Sequence, residues 1–155
     1  MDPGEELKKL YKTNVIIGGA VILTMAIYAV IVEVIKAKAR PFQGLLKISN
    51  HQTLRLSFYG LAILMILVLR FLQPLLYKHP TTNDHKKLLM RLNTAALVTY
   101  FFAQTPAILG LVLFFLCGLS RDFYIFLFIS LLIELMYFPR TRHWENWLRS
   151  KSSSL

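Results

Sequence analysis

Four polar side chains sit inside apolar runs, where hydration cannot help them. Glu33 lies near the end of NVIIGGAVILTMAIYAVIVEVI (14–35), and Arg70 interrupts LRLSFYGLAILMILVLRFLQPLLY (54–77). Gln104 occupies the middle of the run at 92–117, and Glu134 lies in DFYIFLFISLLIELMYF (122–138). A carboxylate can bind and release a proton or cation, and a guanidinium can pair with an anion. An amide donates and accepts hydrogen bonds but does not titrate near neutral pH. Such groups are expensive in hydrocarbon, so each needs a partner or a function.

Position suggests a role for each. Glu33 precedes Lys36 by three residues, which predicts a local ion pair at a helix end. Arg70 and Glu134 fall near the same end of their runs, so they are expected to pair or to share a polar network. Gln104 suits helix packing or a neutral binding site. Pro106 deprives the carbonyl of residue 102 of its usual donor, and Gln104 or Thr105 is expected to serve it.

Other chemistry finds little footing. His51, His79, His85 and His143 lie in polar flanks without metal-ligand spacing, and Cys117 is the only cysteine. No phosphate-binding glycine loop, dinucleotide fingerprint or nucleophile elbow occurs. No catalytic residue, metal or cofactor is expected. The runs hold no histidine, which excludes haem ligation by histidine within the bilayer.

The elements that position the four residues are read from composition. The chain has 155 residues, is 55% hydrophobic and carries a formal charge of +10; its mean hydropathy is +0.51. A basic balance can signify nucleic acid, but here the bases flank apolar runs. That pattern favours anionic lipid headgroups, and no nucleic-acid partner is expected. The run at 14–35 would form a helix about 33 Å long, enough to cross about 30 Å of hydrocarbon. It is too long for the apolar part of a signal peptide, so an uncleaved span is expected. The reading is all-α: one polytopic membrane domain over 1–155, a bundle of four transmembrane helices near 14–35, 54–77, 92–117 and 122–138.

Eleven lysines and arginines flank the side that would carry both termini and the middle loop, against six on the other. The positive-inside rule then places both termini in the cytoplasm. Size suggests a bacterial inner membrane. The connection at 36–53 carries the turn residues Pro41 and Gly44, and reads either as a solvated loop or as a segment dipping Phe42 into headgroups. In the tail at 140–150, Trp144, Trp147 and Leu148 share one stripe of a short amphipathic helix, an interfacial anchor.

Helices in lipid associate through close packing of small residues. Ala95, Thr99, Ala103 and Ala107 recur every four residues, and Gly110 extends the ridge. Gly18, Gly19, Ala20, Thr24 and Ala26 make the first run its expected partner.

The segment QTPAILGLVLFFL, through Pro106, Ile108, Gly110, Leu111 and Val112, resembles the carboxylate-bearing helix of rotary ATPase proteolipids. The likeness lies within residues 100–116, and IIGGA at 16–20 is faintly similar to that family's glycine-rich helix. It implies a proteolipid-like subunit of about this length and span number. Gln104 stands where that family carries an acidic residue. The whole chain also resembles small bacterial four-span membrane proteins with a P-A-I-x-G-L-V-L-F run and an FPR…W exit. The expected function is a non-enzymatic membrane subunit or scaffold that self-associates or joins a larger membrane complex. The alternative is an ion, proton or small-solute transporter using Arg70, Gln104 and Glu134.

Overall fold

The computed structural model describes residues 3–39, 42–45, 51–77 and 85–138. These form four α-helices: α1 (Pro3–Lys38), α2 (His51–Tyr77), α3 (His85–Cys117) and α4 (Ser120–Tyr137), with no strand among the described residues. The helices run alternately up and down. Asn14 meets Asn93 near the starts of α1 and α3, while Tyr59 meets Asp122 near the starts of α2 and α4. The anchor residues Trp144, Trp147 and Leu148 lie outside the described residues.

Three helices are long and apolar enough to cross a membrane: Lys8–Lys38, His51–Leu75 and Leu89–Cys117. The fourth, α4, has 18 residues and includes Arg121, Asp122 and Glu134. α1 starts well before the apolar run. Glu5 and Glu6 lie in its first turn, where the helix dipole favours negative charge, and Pro3 suits a first helical position. The polar stretch through Lys12 therefore adds turns to the helix instead of forming a loop.

α3 is the central element. The ridge of Ala95, Thr99, Ala103, Ala107 and Gly110 is wholly buried. It lies on α4: Ser130 Oγ donates to the Ala103 carbonyl, and a Cβ at Gly110 would stand 2.6 Å from Phe126 Cβ. The tightest interhelical seam is therefore α3–α4, and not α1–α3 as expected. In α1 only Gly18 among the small residues is buried, beside Tyr100 and Phe138, while Gly19, Ala20 and Ala26 are exposed. α4 wins because Ser130 gives it a polar contact and Phe126 fills the space that Gly110 leaves. α1 packs on the next face of α3, with Leu10, Ile17 and Val21 against Leu92, Ala96 and Tyr100. α2 packs on the other side through Ala62 and Leu69.

The segment 42–45 docks on the turn between α3 and α4. Leu45 N–H donates to the Phe115 carbonyl at 2.8 Å, one of the acceptors a helix end leaves unpaired. Phe42 stacks on Phe114 with ring centroids 5.0 Å apart. Gly44 and Gly118 adopt φ of 88° and 70°, a region that favours glycine. A Cβ at Gly118 would stand 2.6 Å from the Phe42 carbonyl oxygen. The described part of the first connection is thus held against the end of α3.

Candidate functional site

Among the described residues Glu134 is the most deeply placed ionisable group, at 1% exposure, and neither carboxyl oxygen has a hydrogen-bond partner among them. The expected pair with Arg70 does not form. The neighbours Leu69 and Ile133 belong to one core cluster, so Arg70 and Glu134 stand at a similar height on their helices. The directions differ. Leu69 points inward at 2% exposure, so Arg70, a further 100° around α2, is exposed. Arg70 has no ion pair among the described residues.

Glu134 faces the opposite way, toward α1 and α3. Leu127, seven residues earlier on α4, packs with Val32 of α1 and Phe114 of α3. Phe138, four residues later, lies against Gly18 of α1. Helical spacing returns Glu134 to that same face. Ser130, one turn before it, reaches Ala103, so in an antiparallel pair Glu134 comes level with Thr99 and Tyr100.

Polar groups lie along this α1–α3–α4 seam on both sides of Glu134. Toward the α1 start, the Tyr100 hydroxyl donates to the Asn14 carbonyl at 2.8 Å. Asn14 Nδ2 donates to Asn93 Oδ1 and to the Leu10 carbonyl, each at 3.0 Å. Asn14 is fully buried and its Oδ1 has no partner. Toward the α1 end, Gln104 Nε2 donates to the Tyr28 hydroxyl at 3.3 Å. Thr105 bonds the Phe101 carbonyl at 2.9 Å, so neither side chain turns to residue 102 as expected. Further along, the Tyr124 hydroxyl donates to Glu33, which pairs with Lys36 at 2.8 Å.

A second cluster joins α2 to α4. Asp122, 3% exposed, accepts from the Tyr59 hydroxyl at 2.7 Å and pairs with Arg55 at 2.9 Å. In the sequence Arg55 stands out only as a flanking charge and Asp122 only as the first residue of the run at 122–138. Asn14 likewise stands at the edge of the first run. The available signal was the same in both: a short polar residue opening an apolar run, with an aromatic hydroxyl available on another run.

Two clefts end the seam. One, of about 380 Å³, is lined by Glu33, Lys36, Phe42, Phe114 and Ser120. The other, of about 370 Å³, is lined by Glu6, Lys9, Thr13, Met90 and Asn93. No group of three or more histidine, cysteine, aspartate or glutamate side chains is placed to hold a metal ion among the described residues. No protein-family model, curated protein or solved structure matches the chain.

Proposed function

We propose that the chain is a non-enzymatic integral membrane protein whose four helices all cross the bilayer, and that it assembles with further copies of itself. The surfaces of α1 and α2 carry this reading. Only 17% of the apolar window of α1 and 11% of that of α2 is buried, against 44% for α3. Ile16, Leu23, Ile27 and Val30 on α1 and Leu56, Ile63, Phe71 and Leu75 on α2 are exposed. An apolar surface of this extent needs lipid or protein against it. α4 joins as a fourth span through its close pairing with α3. The excess of lysine and arginine flanking the end with Pro3, His85 and Tyr137 supports a cytoplasmic position for that end.

The α3 ridge is spent on α4, so it is not the device for self-association. Exposed glycines are the remaining candidates: Gly19 on α1 and Gly60 on α2 have nothing within 4 Å of a Cβ position. Backbone exposed in this way permits close approach of another helix. Cross-linking and native mass spectrometry of the protein in bilayer nanodiscs test the assembly. Wild type is expected to form defined oligomers. Gly19→Leu or Gly60→Leu is expected to shift them to monomers without changing helix content, since a Cβ at either position points into open space. Wild type that stays monomeric at every protein-to-lipid ratio refutes the proposal.

A further inference from the structure

Glu134 is buried without a hydrogen-bond partner among the described residues, in a seam whose other polar groups are hydrogen-bonded toward both ends. Between Asn14 and Lys36, α1 rises about 33 Å, close to the thickness of a hydrocarbon core. Over that rise the seam presents, in order, Asn14 with Asn93, Tyr100, Glu134, Gln104 with Tyr28, and Tyr124 with Glu33. A cleft opens at each end, one beside Asn93 and one beside Glu33. Asn14 Oδ1, like the two Glu134 oxygens, is a buried acceptor with no donor. Buried acceptors of this kind are uncommon and call for a physical reason.

The chemistry selects the species. The seam offers carboxyl and phenol groups, which exchange protons with one another and with water, and amides, which orient them by hydrogen bonds. Arg70, level with Glu134, points away on α2 and does not hold the carboxyl group as an ion pair. Arg55 is directed to Asp122 instead. At 1% exposure, Glu134 is closed to anything the size of water and so to any solute, while a bare proton passes between groups without such space. The groups facing the seam are Asn14, Tyr28 and Glu33 from α1, Asn93, Tyr100 and Gln104 from α3, and Tyr124 from α4. On these grounds we propose that the α1–α3–α4 seam carries protons across the membrane, with the Glu134 carboxyl group as the relay between the two clefts. The proposal rests on the membrane placement argued above, but not on self-association.

The transfer is simple to balance. A proton arriving from one cleft forms an O–H bond with a Glu134 oxygen and neutralises the carboxylate. The same O–H bond breaks on release toward the other cleft, and the carboxylate is restored. No electron acceptor is involved, and the electrochemical gradient supplies the direction.

The test uses the full chain in liposomes with an internal pH dye and a potassium diffusion potential, negative inside. Wild type is expected to acidify the lumen faster than protein-free vesicles. Glu134→Gln is expected to fall to the protein-free rate, and Glu134→Asp to keep part of the flux. Tyr100→Phe is expected to lower the rate, and Arg70→Gln to keep the wild-type rate. Circular dichroism and protease protection report insertion separately, so a protein that fails to insert refutes the membrane placement itself. With insertion established, wild-type flux no faster than protein-free vesicles, or a Glu134→Gln flux equal to wild type, overturns the proposal.

Discussion

Replacing Glu134 by leucine should stabilise the protein, and the size of the gain follows from the burial of the carboxyl group. Both oxygens are buried and neither is hydrogen-bonded. A buried polar group left unsatisfied costs about 1–3 kcal/mol. Leucine has similar bulk and no polar atom, so it removes that penalty. Its branch at Cγ fits the site imperfectly, and shape changes of this kind cost under about 1.5 kcal/mol. The net expectation is a gain of about 1–2 kcal/mol, an order-of-magnitude change in the unfolding constant. Glutamine should gain less, because its amide also needs partners. The assay is reversible unfolding in mixed micelles as the fraction of denaturing detergent rises, followed by helicity. A leucine variant less stable than wild type by 1 kcal/mol or more, on the order of an ordinary hydrogen bond, would show that the carboxyl group is held by its surroundings. A relay has no reason to remain if it only destabilises, so a stability gain paired with lost flux is the signature of a residue kept for function.

Two further outcomes test the packing on either side of the seam. Gly118→Ala forces a side chain into φ of 70° beside the Phe42 carbonyl. It should cost about 1–2 kcal/mol from backbone conformation alone and speed proteolysis of the connection between α1 and α2. Tyr59→Phe removes the hydroxyl that donates to Asp122. Hydrogen bonds to charged groups contribute about 1.5–3 kcal/mol, so the same micelle unfolding should show a loss in that range.

The helices were legible because apolar runs of membrane length leave few alternatives. The depth of the polar groups was legible too, since residue number fixes height along a helix. Direction was not. Whether Arg70 or Leu69 faces the core depends on how α2 is rotated, and that is settled by the packing of Leu69 and Ile133 in one cluster. The small-residue ridge could be read from its spacing, but not its partner. Both α1 and α4 offered faces, and Phe126 and Ser130 decided the matter through contacts distant in sequence. The link between Asp122, Tyr59 and Arg55 was invisible for the same reason: it joins two helices whose register only the fold sets.

α3 meets two demands on adjacent faces. Ala103 and Gly110 turn small groups toward Ser130 and Phe126 of α4, and allow the backbones to approach. Leu92, Ala96 and Tyr100 turn toward α1, and Asn93 and Gln104 on that side supply its interhelical hydrogen bonds. Positions 99 and 100 differ by about 100° of helix rotation, so the two faces meet along one edge. Glu134 projects from α4 toward that edge. Close packing of α3 on α4 thereby delivers a carboxyl group to the polar side of α3, which neither helix offers alone. Gln104, the amide in the middle of the third run, belongs to the α1 side of this arrangement and bonds Tyr28. It holds α1 beside the seam while the titratable group comes from α4, and that division explains why a neutral amide suffices at its position.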